Sequence, residues 1–134
     1  MAKRLAVLLF VCVAAAGCGS SSPVAPSAFS QNVNGTVAAF GASRETVTAP
    51  RAGTMTVQLS WTDLSVDLDL YLAATSCTAL YPQSGCGILA SSANGGTTKE
   101  TLTRNVASGD SFSIFVDNLN VSKAADYSIS ITIQ

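Results

Sequence analysis

Hydrophobic and polar residues alternate along most of this chain, and residues 61–72 are the stretch around which it is organised. Val66, Leu68, Leu70 and Leu72 fall on one side of a two-residue period, while Ser65, Asp67, Asp69 and Tyr71 fall on the other. Successive side chains of a strand point to opposite faces, so a strand is predicted with one buried face and one acidic, wetter face. A helix would scatter the same leucines around its circumference. Met55, Val57, Leu59 and Trp61 alternate with Thr54, Thr56, Gln58 and Ser60 in the same way, which turns Trp61 toward the core. Phe112, Ile114 and Val116 alternate with Ser111, Ser113 and Phe115, and Tyr127, Ile129, Ile131 and Ile133 with Ser128, Ser130, Thr132 and Gln134. Shorter strands are predicted at 33–40, 45–49, 88–91 and 97–106. They are separated by turns at Gly41-Ala42-Ser43, Pro50-Arg51-Ala52-Gly53, Ala93-Asn94-Gly95-Gly96 and Ala107-Ser108-Gly109-Asp110. About eight short strands with no helical stripe predict an all-β antiparallel β-sandwich.

The first residues follow a different pattern. Lys3 and Arg4 precede an apolar run from Leu5 to Ala16, long enough for a signal segment and too short to span a bilayer as a helix. The run ends in Ala15-Ala16-Gly17-Cys18, followed by Gly19-Ser20-Ser21-Ser22. Small residues before a cysteine at this place resemble the lipobox of bacterial lipoproteins, which implies cleavage before Cys18 and lipid on its sulfur and amino group. One acyl chain holds a protein only marginally, whereas several anchor it durably. The expected organisation is a signal peptide at 1–17, a lipidated cysteine and Ser/Pro-containing tether at 18–32, and one domain at 33–134. The expected address is the cell envelope, anchored by lipid at the outer membrane.

Charge and cysteines narrow the partners. Cleavage removes Lys3 and Arg4, two of the seven basic residues, and none of the eight acidic ones, leaving a mature charge of −3. With no basic cluster, nucleic acid is not an expected partner. Of the four cysteines, Cys12 leaves with the signal and Cys18 is taken by lipid. Cys77 and Cys86 remain, and export favours a disulfide between them. A metal pair is the rival, but the chain has no histidine and no third free thiol. Closing so short a loop contributes about 2.5–3 kcal/mol in the chain-entropy account.

The order Trp61, then Asp67-Leu68-Asp69-Leu70-Tyr71-Leu72, then Gly109-Asp110-Ser111-Phe112-Ser113-Ile114-Phe115-Val116, then Tyr127-Ser128-Ile129-Ser130-Ile131 resembles the bacterial pre-peptidase C-terminal domain. The match runs from about Val33 to Gln134, and Asp67 to Leu72 is its most specific part. The resemblance implies a jelly-roll-like sandwich without catalytic activity, an accessory module in a family where some members bind calcium and others polymeric substrates. The segment from Cys18 to Arg44, where calcium-binding relatives draw carboxylates, contains no acidic residue.

Candidate sites follow from the acidic face. Asp67 and Asp69 lie about 6.6–7 Å apart by strand rise, and at an effective dielectric near 20 they repel by about 2–2.5 kcal/mol. They therefore need solvent, loop amides, a basic partner (Arg51, Lys99 or Arg104) or a cation. Calcium, the one candidate cofactor, wants six to eight oxygens, and the candidate set is Asp63, Asp67, Asp69 and Asp117, with Asn118 as an alternative. A structural role, with one aspartate capping loop amides and the other solvated, competes with it. Tyr71 beside the acids and Tyr81 inside the disulfide loop are candidate contacts for a glycan or protein. Without histidine no Ser-His or Cys-His nucleophile pair can form. Asp67 and Asp69 match a glycosidase pair in separation, but outward positions on one strand offer no cleft to raise either pKa. The expectation is a membrane-tethered, non-catalytic sandwich that binds a glycan or protein. The alternative is a calcium-stabilised spacer with no ligand of its own.

Overall fold

The computed structural model describes residues 28–81 and 85–134. The signal segment, its cleavage point and Cys18 lie outside the described residues. Eight strands form: β1 (Phe29–Val37), β2 (Gly41–Thr48), β3 (Gly53–Ser60), β4 (Leu68–Ala74), β5 (Ile88–Ser92), β6 (Lys99–Val106), β7 (Ser111–Asn118) and β8 (Ala125–Ile133). Sheet 1 runs β1-β8-β3-β6 and sheet 2 runs β2-β7-β4-β5, with every neighbouring pair antiparallel. The chain crosses between sheets at every connection except β4 to β5, which gives the jelly-roll order expected from the resemblance. The strand begins at Phe29 rather than Val33, because β8 extends far enough to pair Ile133 with Phe29.

The alternation places the core as expected. Val66, Leu68, Leu70 and Leu72 are buried against Met55, Val57, Leu59, Ile114, Val116, Ile129 and Ile131 between the two sheets. Each such side chain contributes about 1.5–3 kcal/mol on burial. Trp61 closes one end of this core and donates its indole N–H to the Val66 carbonyl at 2.9 Å. Tyr127 of sheet 1 bonds Ser43 of sheet 2 at 2.8 Å. Gly35 makes room for that ring, since a Cβ there would lie 2.5 Å from the Tyr127 hydroxyl.

Two features of the topology position the site. The β1–β2, β3–β4, β5–β6 and β7–β8 connections all gather at one end, since Val37 pairs with Ala125 and Ser60 with both Ser128 and Lys99. We call it the loop end. A second, smaller core lies on the outer face of sheet 2, where Cys77, Leu80 and Cys86 cover Ala73 and Phe115. Cys77 and Cys86 are joined in a disulfide with Cα atoms 4.9 Å apart, within the usual span.

Candidate binding site

Strand register arranges the outer face of sheet 2 in rows. Asp117 sits between Ala42 and Asp69, and Phe115 between Arg44 and Tyr71. The segment after β4 begins at the end opposite the loop end and folds back over these rows. Arg44 fastens it by donating to Ser113 Oγ at 3.0 Å and to the Thr75 carbonyl at 3.2 Å, and Ser113 Oγ donates to the Cys77 carbonyl at 3.2 Å. The segment thereby delivers Tyr81 to the loop end, where its hydroxyl donates to the Asp117 carboxylate. On the next strand Tyr71 donates to Asp69 Oδ2 at 3.2 Å.

This cover corrects the expectation of a wetter acidic face. Asp69 is only 5% exposed and Asp117 1%. Asp67 is half-buried, and its Oδ1 is buried with no hydrogen-bond partner. The expectation that no cleft could raise a carboxyl pKa fails for the same reason. Burial pushes the Asp69 carboxyl up, the Tyr71 hydroxyl partly offsets it, and the nearby charges of Asp67, Asp117 and Glu100 push it further. Burial also pushes Asp117 up against the opposing bonds from Tyr81 and the Asn118 amide. The Tyr81 hydroxyl is raised in turn by burial and by its bond to Asp117.

Of the candidate calcium set, Asp69 and Asp117 are neighbours across β4 and β7, whereas Asp63 is engaged elsewhere. Asp63 stands in the β3–β4 loop, where it pairs with Lys123 and accepts the Ser65 amide at 2.9 Å and hydroxyl at 2.7 Å. The lysine holds its carboxyl well below the usual range. Among the described residues no three His, Cys, Asp or Glu side chains group closely enough to hold a metal ion. Arg104, one expected counter-ion, lies over the Phe112 ring at 5.7 Å instead. Glu100, which the mixed pattern of β6 gave no reason to single out, is buried and accepts from Ser92 and from the Asn94 amide and side chain.

The loop end carries Phe40, expected at the end of a strand but found in the turn between β1 and β2, and residues that the strand patterns passed over. Phe40 (75% exposed), Leu64, Leu119 and Val121 join Tyr81 there as exposed large hydrophobics. Phe40 has φ 49°, a left-handed backbone that costs a non-glycine residue about 1–2 kcal/mol. It is held by its amide to the Asn120 carbonyl at 2.8 Å. Asn118 bonds the carbonyls of Ala38 and Lys123 at 3.1 and 2.8 Å, and Asn120 bonds the Ser65 carbonyl at 3.0 Å. Three loops are thus laced together by two asparagine side chains. Phe40, Tyr81, Asp117, Asn118 and Leu119 enclose a pocket of about 360 Å³. A larger depression of about 580 Å³ lies over Gly35, Trp61 and Tyr127, but its carboxylate, Asp126, is exposed and not buried. The smaller pocket is where strain, exposed apolar side chains and a buried acid meet.

The fold and this site define a jelly-roll β-sandwich with an apolar, acid-floored pocket at its loop end. No family model matches the chain, and no curated protein matches its sequence. Among solved structures it is similar to Aeromonas hydrophila PliG, described as a periplasmic lysozyme inhibitor of g-type lysozyme. That match has a TM-score of 0.59 and 15% identity, and covers 84% of this chain and 93% of the other. It is also similar to the Yersinia pseudotuberculosis-derived mitogen, at TM-score 0.56 and 18% identity, covering 79% of this chain and 86% of that one. Likeness at these identities shows a shared fold.

Proposed function

We propose that this chain is a non-catalytic, protein-binding module of the cell envelope, held to the membrane by lipid on Cys18 and meeting its partner through the loop end. One observation carries the reading. Five exposed large hydrophobics (Phe40, Leu64, Tyr81, Leu119 and Val121) sit on loops at that end or reach it, with Leu89 the other such residue among those described. Apolar patches of this kind on soluble domains mark contact surfaces, and loops laced by Asn118 and Asn120 present them with little ordering cost. Mostly apolar pocket walls favour a protein side chain over a glycan.

Other features support the same reading. The Cys77–Cys86 disulfide suits an oxidising, extracytoplasmic place. A similar fold serves a lysozyme inhibitor, and the likeness of residues 67–72 to pre-peptidase C-terminal domains implies an accessory role. The lack of histidine removes the common nucleophile–base pairs.

The test is site-specific photo-crosslinking in intact cells, with the probe at position 40, 119 or 89. A discrete protein adduct is expected from 40 and 119 and none from 89. Equal labelling from all three, or glycan adducts alone, contradicts the reading. G-type lysozyme is the first purified partner to titrate. Mass spectrometry of the mature N-terminus tests the anchor, with an acylated Cys18 as the expected species.

A further inference from the structure

Resting on the protein-binding reading, we propose that the pocket between Phe40, Tyr81 and Leu119 receives a basic side chain, arginine or lysine, from the partner, with its charged head seated on Asp117. The walls suit such a residue. Two rings and a leucine line the pocket with Asp117 and Asn118, so an aliphatic stem can pack along them while the cation meets ring faces and carboxylate. The floor has acceptors to spare. A carboxylate offers about four acceptor sites, and Tyr81 and the Asn118 amide are the donors bonded to Asp117. A guanidinium that reaches the carboxylate past the exposed Tyr81 ring adds to these bonds.

Charge points the same way. Asp117 faces Asp69 across the strand pair. Around Asp69 the acting charges are Asp67, Asp117 and Glu100, all acidic, with no cation among them. Three nearby basic groups are engaged elsewhere: Lys123 with Asp63, Arg44 with Ser113 and Thr75, and Arg104 over Phe112. An incoming cation supplies the missing counter-charge. An anion would be repelled, and a purely apolar side chain would leave the acidic cluster without a counter-charge.

The experiment is an amide-resolved NMR titration of the full chain with N-acetylarginine methylamide and with its neutral isostere, N-acetylcitrulline methylamide. Arginine is expected to shift the amides of residues 40, 81 and 117–119, with the isostere roughly tenfold weaker or worse, as loss of a charge-assisted bond implies. Asp117→Asn is expected to bring arginine down to the level of citrulline. Tyr81→Phe keeps the acid and is expected to keep the preference, so the test survives if Asp117→Asn fails to fold. Equal binding of both probes overturns the basic-residue inference and leaves the pocket standing as an apolar contact. Loss of the preference in Tyr81→Phe also overturns it, by assigning recognition to the hydroxyl. No shift with either probe removes the pocket itself, while the crosslinking pattern separately decides the loop end.

Discussion

Sheet 1 turns Ser30, Asn32, Thr54, Thr101 and Thr103 to solvent, whereas sheet 2 turns Asp69, Ser113, Phe115 and Asp117 beneath a disulfide-closed segment. Both outer faces arise from the same two-residue period. Sheet 1 follows the ordinary rule for an antiparallel sheet, core on one face and water on the other. Sheet 2 is covered on both faces at β7, so a side chain's direction there no longer says whether it is wet. The cover has two consequences. It encloses aspartates that would otherwise be solvated, and it brings Tyr81 to the loop end, where the binding surface lies.

The largest effect that separates the two faces is Phe115→Ala. Although outward on its strand, Phe115 is 1% exposed, and its loss is expected to cost about 3–5 kcal/mol in urea unfolding. Thr103→Ala, outward on sheet 1, should change stability by no more than about 0.5 kcal/mol. Similar small values for both would erase the distinction. Replacing both Cys77 and Cys86 with serine is expected to cost about 2.5–3 kcal/mol. Hydrogen exchange should then speed up at β7 and β4 and stay unchanged at β1 and β8.

Phe40→Gly sharpens the functional side. Glycine adopts φ 49° without the Cβ penalty, so thermal melts should show a gain of about 1 kcal/mol. The same change should weaken partner capture at the loop end. A residue whose removal stabilises the fold and harms binding is held there for contact.

The smallest expected effect concerns pH. The folded pKa of Asp69 is raised above its ordinary 3.8, so its contribution is fully present below that value and is lost as pH rises through the folded pKa. Asp69→Asn should therefore melt higher than the parent at pH 7 and converge with it below about pH 4. Asp63 runs the other way. Its carboxyl is held low by Lys123, so its contribution is lost as pH falls, but equally in both proteins, and it drops out of the comparison.

Much of the sandwich was legible because its signals are local. The leucines at 66–72, the run ending in Trp61 and the closing isoleucines each declare a buried face within one strand, and Cys77 and Cys86 are the two cysteines within the sandwich sequence. The fate of Asp69 was not legible, because its cover comes from a segment without periodicity that folds back across the sheet. One trace was present: Phe115, an aromatic in the outward series between Ser113 and Asp117, makes β7 nearly continuous in buried character, as strands covered on both faces are. Asp63 looked like a companion of Asp67 and Asp69 by sequence distance, yet the turn at Ser65 commits it to Lys123. The strained backbone of Phe40 leaves no mark in Ala-Phe-Gly. It depends on the Asn120 carbonyl from the far end of the chain.

The most direct measurement is the titration of the Asp69 and Asp117 carboxyl carbons by NMR, with Asp63 as the internal exposed reference. A covered face predicts midpoints for Asp69 and Asp117 above the ordinary 3.8 and for Asp63 below it. If Asp69 and Asp117 instead titrate at or under that value, burial does not govern these carboxyls, and the account of the covered acidic face is contradicted.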